Sequence, residues 1–241
     1  MRFVDVTLHS NRQKPQMDTS ENRHNWALKY EHNDLFRPGD NVELNACVGK
    51  NGGPYNFSAY SRGYFEAGKR LVGSLVENQS LVDIIVYPVV YIYRHAIELG
   101  LKHLAYRLPP FFDKKEPIKL THNLIDNWIL VLEYLEQLPD GGNDPEPIQI
   151  VDKVLKDLVQ LDPKGETFRF PQSRNEVLHL QDTSIINVEI FAVAMVKVYE
   201  AFQFWFDVVA ILWETKSEAL YDEQQELASI SVDEMLWNGP D

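Results

Sequence analysis

The 241-residue chain has one cysteine, Cys47, so a disulfide within a single copy is excluded and a reducing compartment is the simpler expectation. The common catalytic signatures are missing too. There is no Cys-x-x-Cys, no Gly-x-x-x-x-Gly-Lys-Ser/Thr, no Gly-x-Gly-x-x-Gly after a strand and no Gly-x-Ser-x-Gly. This removes the usual phosphate cradles and nucleophile elbows. His95 and His103 belong to no His-x-x-x-His with an acidic third ligand and to no Glu-x-x-His, so no metal and no cofactor is expected. Cys47 has no activating neighbours and is expected to be inert.

Long uncharged runs are also scarce. The two most apolar stretches, Leu81–Leu101 and Val188–Trp213, carry Asp83, Arg94, Glu98, Lys197, Glu200 and Asp207. Charges inside a span are costly, so a membrane role is not expected. The start, Met1-Arg2-Phe3-Val4-Asp5-Val6, lacks a signal peptide's apolar core. The expectation is a cytoplasmic protein.

Positive charge is in short supply: the net charge is −13. Residues 1–110 hold 13 Lys/Arg against 11 Asp/Glu, and residues 111–241 hold 10 against 25. An acidic second half repels phosphate backbones, which disfavours broad nucleic-acid binding but leaves room for a local basic groove in the first half.

What is there is helical period. Residues 1–55, rich in Asn, Asp, Gly and Pro, read as an irregular arm, with a weak strand pattern at Phe3–Leu8 and a closing turn at Gly52-Gly53-Pro54. Five helices are expected in 56–222, at about 58–77, 81–108, 122–138, 147–160 and 187–222. Asn56 or Ser58, Ser80 and Thr121 are the expected caps. Pro88 should kink the second helix or divide it at Tyr87. An extended or hairpin insertion is expected near 166–181, beginning at Phe168-Arg169-Phe170-Pro171. The last helix, apolar nearly all round to Trp213, should sit at the centre of an all-α bundle. An acidic tail, 223–241, contains Met235-Leu236-Trp237, which could dock on the body or on a protein partner.

The candidate sites start with Arg94, Glu98 and Lys102, at i, i+4 and i+8, which share a helical face below Tyr87 and Tyr91. They could bind an anion, with Glu98 orienting Arg94, or simply form a water-facing ion-pair stripe. His95 and His103 share another face of the helix, and either is a ligand or a structural imidazole. His122, just after the expected cap Thr121, sits where a helix dipole favours neutral imidazole, so it could act as a general base or pack as a cap. If the second and third helices are antiparallel neighbours, His122 falls nearer His103 than Arg94. Arg174-Asn175-Glu176-Val177-Leu178-His179 is an Arg-x4-His string that could stabilise a phosphorane and shuttle protons, or be coincidence.

Three fragments occur in a telling order. They are Tyr87-Pro88 … Tyr93-Arg94-His95-Ala96-Ile97-Glu98-Leu99-Gly100-Leu101-Lys102, then His122-Asn123-Leu124 … Trp128, then Phe168-Arg169-Phe170-Pro171. Over about residues 58–210 this order resembles a group of bacterial helical proteins similar to HEPN domains. The resemblance implies a compact helical bundle, often dimeric. It also implies metal-independent RNA cleavage in toxin–antitoxin or phage-defence systems for many members, and no catalysis for others. The family's motif is Arg, commonly a polar residue, then His after four to six residues, on a helix. Arg174, Asn175 and His179 match it, but in a segment read as extended. Arg94 and His103, on a helix, are too far apart to match. Two functions follow as expectations. One is a HEPN-like stress or phage-defence protein that cleaves RNA without metal, with Arg94, His95, Glu98, His122, Arg174 and His179 as the site candidates. The other is a non-catalytic helical module that binds a protein partner or a nucleotide.

Overall fold

The computed structural model describes residues 35–49, 55–114, 119–139 and 142–237, with side chains up to Gln225. The expected strand at Phe3–Leu8 and turn at Gly52-Gly53-Pro54 lie outside these residues. The chain divides into two units at Gly53. Of the first, 35–49 is described. It holds one 3-10 turn, Val42–Leu44, and an amide clamp in which Asn45 accepts from Gly39 N and donates to Gly39 O.

The second unit is an all-α bundle: α1 (Phe57–Glu77), α2 (Val82–Phe111), α3 (Leu124–Leu135), α4 (Pro145–Leu161) and α5 (Val188–Trp237), with no strand among the described residues. Local chemistry sets the helix starts. Asn56, Asn123 and Asp144 cap α1, α3 and α4 by accepting from Ala59, Ile125 and Glu146 N, taking up amides that have no helical partner. Asn78, rather than Ser80, bonds Ser80 N ahead of α2 across a 3-10 turn. Asn123, rather than Thr121, caps α3, so His122 lies just outside the helix.

α2 differs from expectation in two ways. It runs unbroken through Pro88, Pro109 and Pro110. Pro88 lies in the second turn, where it would strip a partner from the Ile84 carbonyl, and Ile84 is exposed, so water can replace the lost bond. α2 shares the centre with the last helix: it packs against α1, α3 and α5, and α5 packs against α1, α2 and α4. Ala96, Ile97, Leu101 and Leu104 on it are fully buried. Gly100 lets Phe202 of α5 come close, since a Cβ there would stand 3.0 Å from the ring. α5 buries one side, including Met195, Phe202 and Trp205, and leaves Ile190, Val193 and Val196 exposed. Its backbone stays helical through Trp237, past the expected end at Asp222.

The Gln79–Phe111 stretch is long and apolar enough to cross a membrane by length and composition. In this fold its apolar side chains build the bundle core.

Candidate functional site

The centre of the site is the carboxylate of Glu98. The 3.6-residue period stacks Arg94, Glu98 and Lys102 on one stripe of α2. The expected water-facing stripe is in fact buried at its core: the side chains of Arg94 and Glu98 are each 5% exposed and that of Lys102 is 15% exposed. Charges held this deeply need partners. Lys102 Nζ donates to Glu98 Oε1 at 2.6 Å, and Arg94 Nη1 lies 3.6 Å from Glu98 Oε2.

Arg94 faces a second carboxylate. Asp162, just past the end of α4, puts Oδ2 3.3 Å from Arg94 Nε. Its Oδ1 accepts from Glu166 N and Thr167 N at 2.8 and 3.0 Å. These bonds shape a turn in which Gly165 sits at φ +74°. A Cβ on Gly165 would come within 2.7 Å of Arg94 Nη1, so the guanidinium lies on bare backbone. The ion pairs are not well-aligned hydrogen bonds, and Arg94 Nε and Nη2 are buried with no hydrogen-bond acceptor. Arg94 is thus clamped between two anions with donor capacity unused.

The third partner of Glu98 arrives from outside α2. His122 Nδ1 is 2.8 Å from Glu98 Oε1 while its side chain stays 86% exposed. With the proton on Nδ1 the ring donates to the carboxylate, and Nε2 is left as the acceptor on the exposed ring. The buried amide of Asn127 fixes the approach: it accepts from Thr121 N at 3.1 Å and donates to Thr121 O at 2.9 Å. The residues just ahead of α3 meet α2 at Glu98, where His122 and Lys102 share Oε1 and Arg94 lies against Oε2.

Burial pushes the Glu98 carboxyl up, but hydrogen bonds and charge from Lys102 and His122 outweigh it, and the group sits below its ordinary value. His95, three residues before Glu98, also shifts down, which for an imidazole favours the neutral form. Burial lowers its pKa against the opposing pull of Glu98, with Lys102, Arg169 and Arg94 adding to the lowering. Its ring meets Tyr64 edge-on at 4.6 Å and stacks on Tyr91 at 6.1 Å. His103 is lowered to about 4, chiefly by burial.

Arg94, His95, Glu98 and His122 therefore share one neighbourhood, and Arg174 and His179 do not join it. The latter two lie in the 166–181 segment, which forms a tight reversal with one antiparallel bridge, Gln172 to Leu178, and bonds from Ser173 N to Val177 O and from His179 N to Pro171 O. Arg174 is exposed on the turn, and His179 lines a separate pocket with Tyr87, Phe168 and Arg169. Asp162, Gly165 and Asn127 were missed from sequence. The one legible signal was the Asp162-Pro163-Lys164-Gly165 turn pattern. Among the described residues no cluster of three or more His, Cys, Asp or Glu side chains is placed to hold a metal ion.

Comparison with known proteins finds no matching family model, no matching curated protein and no matching solved structure.

Proposed function

We propose that this chain is a HEPN-like RNA-cleaving domain whose reaction is carried by side-chain acid–base chemistry at Glu98 and His122. One observation supports this above all: an exposed imidazole is held through Nδ1 by a buried carboxylate that a lysine shares. A carboxylate behind a histidine fixes its tautomer and stabilises the imidazolium formed when Nε2 accepts a proton. His122 takes the proton of the RNA 2′-hydroxyl, and the 2′-oxygen bonds to phosphorus. The bond from phosphorus to the 5′-oxygen breaks, and that oxygen leaves with a proton from water. The products are a 2′,3′-cyclic phosphate and a 5′-hydroxyl. Lys102 supplies positive charge for the phosphate. Arg94 is a positioning residue that holds Glu98. A cytoplasmic setting, a role in stress or phage defence, and a two-copy form belong to the same proposal.

The test is cleavage of single-stranded RNA by the purified chain in EDTA. His122→Ala should lower the rate by about 10²–10⁴-fold, and Glu98→Gln should lower it as well, with both folds intact by circular dichroism. Arg174→Ala and His179→Ala should cleave like the wild type. Absent cleavage by the wild type, or cleavage indifferent to His122→Ala, overturns the reading.

A second reading rests on the exposed apolar side chains Ile185, Ile190, Val193 and Val196 at the start of α5. They favour a non-catalytic module that docks a protein partner.

A further inference from the structure

On the other side of His95 lies a cleft of about 1060 Å³ between α1, α2 and α5. Its walls carry Tyr60, Tyr64, Tyr106, Arg62, Arg107 and His95. The rings stand out: Tyr60 is 55% exposed and Tyr106 50%. Tyr106 is paired face to face with Phe57 at 5.5 Å. Buried Leu99 and Val209 and the carboxylate of Asp207 are also in the lining. Aromatic rings and arginines at the mouth, with aliphatic residues buried below, is not the make-up of an apolar protein-docking groove. It is the make-up of a surface that stacks planar groups and neutralises a charged backbone.

We infer that this cleft is a stacking platform for the unpaired bases of single-stranded RNA, an inference that rests on the proposed cleavage at Glu98 and His122. Every nucleobase offers a π face, so Tyr60 and Tyr106 take bases without regard to sequence. Arg107, seated over the Trp213 ring at 4.6 Å, and Arg62, paired with Asp207 at 3.6 Å, supply the positive charge for the phosphates. Stacked groups continue past His95 along α2. Tyr91 stacks on His95, and the Arg169 guanidinium lies 5.5 Å over Tyr91. His95, Leu99, Lys102 and Tyr106 recur along one face of α2, so a strand on the platform passes beside the lysine that shares Glu98. The local basic character sits in the half of the chain that is not acidic. A duplex keeps its bases stacked on each other and cannot reach the rings. The platform therefore selects single strands.

The experiment uses the full chain carrying His122→Ala, so that RNA persists, with fluorescein-labelled oligouridylate and an RNA duplex of equal length as probes. Anisotropy should show the single strand bound at least about tenfold more tightly than the duplex. Combining Tyr60→Ala with Tyr106→Ala should weaken single-strand binding by about tenfold or more. The paired Tyr→Phe changes should retain it, because a phenyl ring stacks as well. Arg107→Ala should reduce the salt slope by about one. Equal binding of the duplex, no effect of the alanine pair, or no binding of either probe overturns the inference. So does self-association that the alanine pair abolishes without any RNA binding, which would assign the cleft to a second copy. The two proposals fail separately. Binding that needs the tyrosines in a chain whose wild type never cleaves keeps the platform and removes the nuclease. Cleavage that needs His122 but ignores the tyrosines does the reverse.

Discussion

Helix α2 and the reversal at 166–181 each hold arginine and histidine, yet they behave differently. On α2, Arg94 and Glu98 are four residues apart on a helix and their side chains meet. On the reversal, Arg174 and His179 match a catalytic spacing literally, and the backbone carries one to solvent and the other into a separate pocket. Spacing becomes proximity only through the backbone that carries it. A separation of four on a helix aims two side chains at one place, whereas a separation of five across a turn does not.

The sharpest contrast is in stability. Arg94→Ala strips the cation from between Glu98 and Asp162 and leaves two buried carboxylates undercompensated, so it should cost about 3–5 kcal/mol in urea unfolding. Arg174→Ala removes an exposed side chain and should stay within about 0.5 kcal/mol. Equal effects would mean that the buried stripe is no more structural than the turn.

Acid separates the two titrating environments on α2. The His103 pKa is lowered to about 4, below its unfolded value, so the folded state is favoured at higher pH. That contribution is complete above about 6.5 and is lost as pH falls toward the folded value. It should reach about 2–3 kcal/mol, and His103→Leu should flatten the stability curve in that window. Glu98, also lowered, contributes above its unfolded carboxyl range and loses that contribution as pH falls further, so Glu98→Gln should flatten only the more acid limb. Chemical denaturation at stepped pH reads both. A His103 window that survives the leucine change breaks the assignment.

Glycine marks the next difference. Gly165 needs a positive φ and bare space for Arg94, so Gly165→Ala should destabilise by about 2 kcal/mol through strain and a displaced guanidinium. Glu176, on the reversal, also sits at positive φ, 60°, but in the open. Glu176→Gly should therefore be neutral or stabilising by under about 1 kcal/mol, since it relieves strain and adds unfolded-state freedom. Thermal melts of the pair test the sign.

How much of this was legible follows from range. The five helices, the Asn56 cap and the hairpin character of 166–181 were readable because caps, periods and prolines act within a few residues. The all-α class followed from them. The division that Pro88 offered at Tyr87 did not occur, since its cost depends on whether the freed carbonyl reaches water, which only the fold decides. The stripe was readable as a face but not as buried, because the groups that meet it, Asp162 and His122, come from beyond α2. Those partners lie about 68 and 24 residues away in sequence, and no local spacing encodes them. The cleft was invisible for the same reason: its walls come from three helices.

The smallest effect bears most directly on the site. Asn123 caps α3 and Asn127 grips Thr121, and between them they set where His122 stands. Asn123→Ala should cost about 1 kcal/mol of stability, the usual loss for an N-cap. A structural role alone would end there, with cleavage per folded molecule unchanged. A positioning role predicts more. Once His122 loses its fixed approach, it spends less time with Nδ1 on Glu98, so kcat should fall several-fold while KM holds. Asn123→Ser, which caps equally well, should restore both. The split between kcat and KM, measured on folded protein with the serine variant beside it, decides whether the start of α3 serves the bundle alone or also aims the imidazole.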